Sequence, residues 1–183
     1  MNINFKANYI NTGTVKKIDR SFNYLAHDAS FVSLNPKNKK DVLALESING
    51  DWDCSFLRSI CNNLYRYSKR TRLYALTTQE KNFEDLNPKQ ILGIAVGEHN
   101  KDQGFYLDFL QTNPKHIKGS SPYPDYKNIG TAILNCIKQF YGIKYIKADS
   151  VPTAFNFYIK NEFNRTSDFL DDFEIIWHNT TNL

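Results

Sequence analysis

The chain has 183 residues, 41% apolar and 23% charged, an ordinary globular composition at the length of one domain. Its net charge of +4, from 23 basic and 19 acidic residues, is too mild to argue for nucleic acid by itself and suits a small anionic ligand. The longest clean apolar run, Ile91-Leu92-Gly93-Ile94-Ala95-Val96, is far short of a membrane span, and Met1–Lys6 has no apolar signal core. A cytoplasmic protein with no membrane partner is expected.

Aromatic residues make up 14% of the chain, so Phe and Tyr are expected to fill much of the core. Three cysteines, Cys54, Cys61 and Cys136, form neither a secreted framework nor a zinc spacing, and read as buried thiols in a reducing compartment. The four histidines, His27, His99, His116 and His178, are scattered, so no metal is expected.

No repeat or low-complexity tract occurs. Residues 1–40 are hard to read, although Phe22–Leu25 and Ser30–Leu34 alternate as strands do, and a turn follows at Asn35-Pro36. Asp41–Ile48 suits either element. From Trp52 the spacing is helical, with Phe56, Ile60 and Leu64 every four residues and Asp51 as N-cap. Arg66, Lys69, Arg70 and Arg72 crowd its far end, either as an anion site or as cations at a helix C-terminus.

Leu73–Thr78 and Gln90–Glu98 read as strands. Phe105–Thr112 is a third, joined to the second by the turn 99–104 as an antiparallel hairpin. The loop that follows, with Pro114, Pro122 and Pro124, is too long for a simple connector. Ile129–Tyr141 is the clearest helix, with Ile129, Ala132, Ile133, Cys136, Ile137 and Phe140 on one face and Gly142 ending it. A strand over Tyr145–Ser150, a helix over Thr153–Asn161 with Pro152 in its first turn, and a hairpin of Phe163–Phe169 with Phe173–His178 complete the chain.

The chemistry is expected where Lys127-Asn128-Ile129-Gly130-Thr131-Ala132 opens the clearest helix. A helix start leaves backbone N–H groups unpaired, Gly130 lets a phosphate approach them, and Lys127 adds a cation. A ligand-free turn would look the same. The segment Ala154–Phe163 adds a second signal. Together the two stretches resemble the GCN5-related N-acetyltransferase family. Lys127, Gly130 and Ala132 stand where that family's pyrophosphate loop has Arg or Gln, Gly, and Gly or Ala. Ala154, Tyr158, Lys160 and Phe163 match its later helix, with Glu162 replacing a Gly and Val151 replacing a frequent Asn.

The resemblance implies an α/β fold, a mixed, twisted, mostly antiparallel sheet with helices on both faces and two central strands that splay. Residues 1–183 would be one acetyltransferase domain, with 73–178 the acetyl-CoA-binding core and 1–72 a variable substrate-side half. Acetyl-CoA would be the cosubstrate, with no metal. Leu110 and Thr112 would meet the pantetheine arm. Lys127, Asn128, Ile129, Gly130, Thr131 and Ala132 would hold the pyrophosphate, and Phe155 would lie against the cofactor. Tyr158 would sit near the thioester sulfur.

Amine acetylation also needs a base, for which Asp108 and Glu98 are the candidates; strict alternation would put Asp108, Leu110 and Thr112 on one strand face. The expected acceptor is an amine on a small molecule, protein or peptide. Nucleic acid is not expected except as charged tRNA, and a homodimer is left open. Two other readings stand beside this one: a non-catalytic coenzyme A sensor or interaction module, and a basic RNA binder built on Arg66–Arg72.

Overall fold

A computed structural model describes residues 7–35, 37–52, 71–117, 119, 122–139, 142–167 and 173–179. In chain order these form β1 (Asn8–Ile18), β2 (Tyr24–Leu34), α1 (Lys39–Trp52), β3 (Thr71–Thr77), β4 (Ile91–His99), β5 (Gly104–Thr112), β6 (Tyr126–Lys127), α2 (Ile129–Gln139), β7 (Tyr145–Asp149), α3 (Phe155–Lys160), β8 (Asn164–Arg165) and β9 (Glu174–His178). The strands make one sheet in the order β6-β1-β2-β3-β4-β5-β7-β9-β8. Only the β5–β7 pairing is parallel, so the sheet is mixed and mostly antiparallel as expected.

The hard-to-read N-terminus is a long hairpin. Its turn is closed by the Asp19 carboxylate, which accepts from the Ser21 and Asn23 amides, both at 2.8 Å. The ambiguous segment after it is helical. Asn38 accepts from the Lys40 amide at 3.0 Å as an N-terminal cap. Asp41 reaches back to the Asn35 amide at 2.8 Å, and burial pushes its carboxyl up to about 6. Asp51 and Trp52 lie inside α1, so Asp51 is not an N-cap. The helix expected beyond it, with Cys54, Cys61 and the cluster Arg66, Lys69 and Arg70, lies outside the described residues.

Helices cover both faces. Ala44, Leu45, Ile48 and Trp52 of α1 pack on Val32, Leu73, Ala75, Ile94 and Val96. On the opposite face Ile129, Ala132, Ile133, Cys136 and Ile137 of α2 pack on Val15, Phe31, Tyr74, Leu76 and Phe105. The buried Cys136 is a free thiol, as expected. Covered on both sides, β4 is buried from Ile91 to Gly97, which is why its apolar run does not alternate. Each fully buried Leu, Ile or Phe in these layers contributes about 1.5–3 kcal/mol relative to exposure.

Two features of β5 position the site. Its parallel ladder with β7 runs only from Gly104↔Tyr145 to Leu107↔Ala148. Asp149 pairs with Glu174 of β9, while β5 continues to Thr112 with no described strand on that edge. The splay expected of two central strands is this fork. The second feature is a bulge: Gly97 pairs with Leu107 and Val96 with Phe109, leaving Asp108 as the extra residue. The alternation restarts there. Leu107 and Leu110, three apart, both pack toward α2, and Phe109 packs toward α1.

Candidate active site

After β5 the chain makes a 3-10 turn at Pro114–His116, capped by the Asn113 side chain. It returns as β6, which pairs Lys127 with Lys16 and Tyr126 with Lys17 of β1. Asn128 then takes a left-handed φ of 61°, a conformation Asn tolerates better than most residues. Its carbonyl accepts from the Ala132 amide at 2.9 Å, the first bond of α2. The amides of Ile129, Gly130 and Thr131 precede that bond and have no acceptor within the helix. Lys127 stands beside them with its Nζ 3.7 Å from the centre of the Tyr24 ring.

These groups open onto a cavity of ≈ 460 Å³ between the free end of β5, the start of α2 and α3. Leu110, Thr112, Lys127, Asn128, Ile129, Gly130, Thr131 and Tyr158 all line it, so eight of the twelve expected site residues converge. A larger hollow of ≈ 810 Å³, lined by Tyr9, His27, Asp28, Glu80 and Phe83 among others, contains none of them.

Four expected residues lie elsewhere. Ala132, 2% exposed, faces β1: a Cβ built on Gly13 would meet its methyl at 3.5 Å. Its small size serves helix–sheet packing and not the cavity. Phe155 turns away, with its ring 4.5 Å from the Arg165 guanidinium and 6.0 Å from Phe173. Asp108 and Glu98 do not line the cavity either. The bulge breaks the one-face expectation, because Leu110 and Thr112 reach the cavity and Asp108 does not.

Four liners were not among the expected site residues: His116, Ile117, Ala154, which the sequence offered only as a motif match, and Phe157. The unexplained length of the loop was the only signal for the first two. Phe157 also explains Gly130, since a Cβ there would lie 2.9 Å from the Phe157 Cζ. The absence of a side chain at Gly130 thus serves the packing of α3.

Tyr158 is 8% exposed, edge-on to Phe157 at 5.0 Å and to Phe163 at 5.4 Å. Burial pushes its phenol up to about 12, so it stays protonated at neutral pH. Its hydroxyl has no hydrogen-bond partner among the described residues. Across the sheet a titratable group surrounds the fork. Tyr106 donates to Asp149, which with burial raises the phenol to about 12. Burial, then the charges of Glu98 and Asp149, push Asp108 up to about 6. Glu98 accepts from the Thr71 hydroxyl at 2.7 Å. Among the described residues no three His, Cys, Asp or Glu side chains are placed to hold a metal.

No family model and no curated protein matches the sequence. Solved structures do match. The Campylobacter jejuni N-acetyltransferase PseH superposes with a TM-score of 0.53 at 15% identity, over 82% of this chain and 99% of that one. Tetrahymena GCN5 gives 0.52 at 12% identity over 83% and 96%. A chain of the NatC complex bound to Gag peptide and CoA gives 0.52 at 16% over 83% and 99%. The fold is that of the GCN5-related N-acetyltransferases. In this GNAT fold the two motifs read from the sequence, the Lys127–Ala132 loop and the Tyr158 helix, meet at one cavity beside the fork.

Proposed function

We propose that the protein is an N-acetyltransferase that moves the acetyl group of acetyl-CoA directly to an acceptor amine within a ternary complex. The observation that carries this reading is the convergence, on one cavity, of the first residues of α2, the end of β5 that no described strand pairs on that edge, and Tyr158. The residues fit the cosubstrate. Amides at a helix start, with Lys127, suit its phosphates, and an open strand edge suits the amides of its pantetheine arm. The NatC structure, which holds both CoA and a peptide, supports the pairing of this fold with an acyl carrier and an amine-bearing acceptor.

In this reading Asp108 takes the proton that the amine loses as its nitrogen attacks the thioester carbonyl, with Glu98 or a water chain as the other candidates. Tyr158 gives its proton to the thiolate as the carbon–sulfur bond breaks. The acceptor lies on the side of the fork that carries Asp108 and Glu98, and their negative charge favours a cationic or amine-bearing molecule.

Calorimetry with acetyl-CoA tests the cosubstrate. Wild type should bind and gain melting temperature by mass action, and Gly130→Glu should lose both, because a bulky anion would enter the phosphate cradle. Thiol release with a panel of amines then separates an enzyme from a sensor. Absence of binding by wild type at millimolar ligand would refute the proposal.

A further inference from the structure

We propose that the hollow on the α1 face of the β1–β2 hairpin binds an alkylammonium group, the charged end of a free diamine or of a lysine side chain. The inference stands apart from the acetyl-CoA reading, because the hollow shares no lining residue with the coenzyme cavity. Its floor follows from the register of the hairpin. Directly paired residues share a sheet face, so Tyr9 lies with Val32, Thr12 with Ser30 and Thr14 with Asp28. Val32 packs under α1. Two and four residues earlier on the same face, Ser30 is half-buried and Asp28 exposed, so α1 leaves this part uncovered. The far wall is the chain leaving β3. Ser30 pairs with Thr77, the last residue of that strand, and Thr78, Glu80 and Phe83 then border the hollow. One side chain shapes this loop. Gln79 donates to the carbonyls of Lys81 and Asn82 at 2.9 Å and of Asp85 at 3.2 Å, and accepts from the Asn87 amide at 2.9 Å. The wall is therefore formed before any ligand arrives, which lowers the cost of binding.

The lining says what kind of ligand fits. Phe83 stacks on Tyr9 with ring centroids 5.9 Å apart and planes 22° apart. Phe83 is anchored on the core under α1. The Tyr9 hydroxyl shares a hydrogen bond with Thr12 at 2.8 Å, yet the residue stays 50% exposed, so its ring is held and still open to a ligand. Asp28 and Glu80 are both exposed, and among the described residues neither carboxylate has a hydrogen-bond or ion-pair partner. No lysine or arginine is among the described residues that line the hollow, although the chain carries a net charge of +4. His27 also borders it, but its ring lies 5.9 Å from Tyr126, which packs on the α2 face. The result is an aromatic-walled depression of negative charge on a positive protein. An ammonium is drawn by the carboxylates and by the ring faces, and its alkyl stem covers the rings. An anion would be repelled there, and a wholly apolar ligand would strip water from the two charges without replacing it.

Cadaverine is titrated into the whole protein at about pH 7, where both its amines are cationic, and followed by amide NMR shifts and calorimetry. Pentanediol, of the same length without charge, is the control, and N-acetyl-lysine amide presents a lysine side chain. Saturable shifts are expected at the amides of Thr12, Ser30 and Thr78, with a Kd of about 1 mM that weakens as salt screens the carboxylates. Pentanediol should produce none. Asp28→Asn combined with Glu80→Gln should weaken cadaverine about tenfold. Tyr9→Leu, which removes a ring face and keeps the charges, should weaken it about two- to fivefold. All three side chains are exposed, so melting temperatures should hold and the losses report binding. Binding of cadaverine alone assigns the site to a free amine. Equal binding of N-acetyl-lysine amide assigns it to a side chain of a peptide, and either result supports the proposal. No shift at about 10 mM cadaverine, shifts confined to residues around Asp108, an equal response to pentanediol, or full affinity in the Asp28→Asn, Glu80→Gln variant would overturn it.

Discussion

Gly130→Ala isolates the contact that ties the phosphate loop to α3. The new Cβ would lie 2.9 Å from Phe157 Cζ and 3.1 Å from Cε2, where ordinary contact begins at 3.4 Å. The ring must retreat by at least about 0.5 Å, the difference between the first and last of those distances. Overpacking of this kind costs about 1–3 kcal/mol. Replacing Gly by Ala in a helix returns up to about 1 kcal/mol, less in a first turn. The net expectation is a loss of about 1 kcal/mol, or about 2–4 °C in melting temperature at this chain length. Coenzyme affinity should fall as well, because the displaced ring lines the cavity. Phe157→Leu removes the atoms that clash, so in that background Gly130→Ala should be neutral or stabilising. A thermal and chemical denaturation cycle over the four variants measures the coupling, expected at about 0.5–3 kcal/mol for residues in contact. If Gly130→Ala costs the same with Phe or Leu at 157, the glycine is not there for α3 and the packing argument fails.

Two further outcomes concern the chemistry. Tyr158→Phe removes only the oxygen and keeps the ring contacts with Phe157 and Phe163. kcat should therefore fall about tenfold or more, with coenzyme affinity and melting temperature little changed. Near-full kcat with chemistry rate-limiting would assign the residue to the core alone. For Asp108 the base must be ionised, and its carboxyl is raised to about 6, so kcat/KM should decline as pH drops through that value. Asp108→Asn should lose most of the activity together with that acid limb. Persistence of the limb in an active variant would point to Glu98 or water.

The parts of the fold visible in the sequence are those whose burial is one-sided. α2 turns a single apolar stripe toward the sheet, and its start at Ile129 was read to the residue. The β4–β5 hairpin is set off by a polar turn. The β1–β2 hairpin is harder because its buried face changes sides: Ala29 and Phe31 belong to one core layer, Val32 and Leu34 to the other. No alternation count survives that switch. α1 was ambiguous because its cap comes from Asn38 and Asp41 acting on a preceding turn, while the spacing from Trp52 invited a helix capped at Asp51, a residue that lies inside α1. At the site the loop and Tyr158 were legible because their spacing is itself the signal. Phe157 was not: the stretch expected as one helix from Thr153 is a 3-10 turn at Pro152–Ala154 followed by six residues of α3. That break sends Phe155 toward Arg165 and Phe157 into the cavity. The bulge at Asp108 leaves no trace in composition, yet it decides which side chains of β5 reach the cavity.

That bulge is also where the two sides of the proposed chemistry meet. Leu110, Thr112 and Tyr158 belong to the face covered by α2. Tyr106 lies between Phe105 and Leu107, which pack on that face, so its side chain takes the other, where it meets Asp149. A continuous ladder would seal one set from the other with backbone. Only past Leu107 and Ala148, where β5 and β7 part, is there no paired backbone between them. Direct transfer needs an amine and a thioester within bonding reach, so an acceptor among the titratable groups and a coenzyme in the cavity can meet only through this fork. Asp108 stands at its edge as the one unpaired residue of the β4–β5 ladder there. Were Asp108 paired in a regular ladder and not bulged, the alternation would run on from Leu107, returning Phe109 to the α2 face and turning Leu110 and Thr112 out of the cavity. In the proposed chemistry the bulge would thus serve both halves of the site, keeping Leu110 and Thr112 on the cavity side and leaving a carboxylate of raised basicity beside the gap through which the acetyl group would pass.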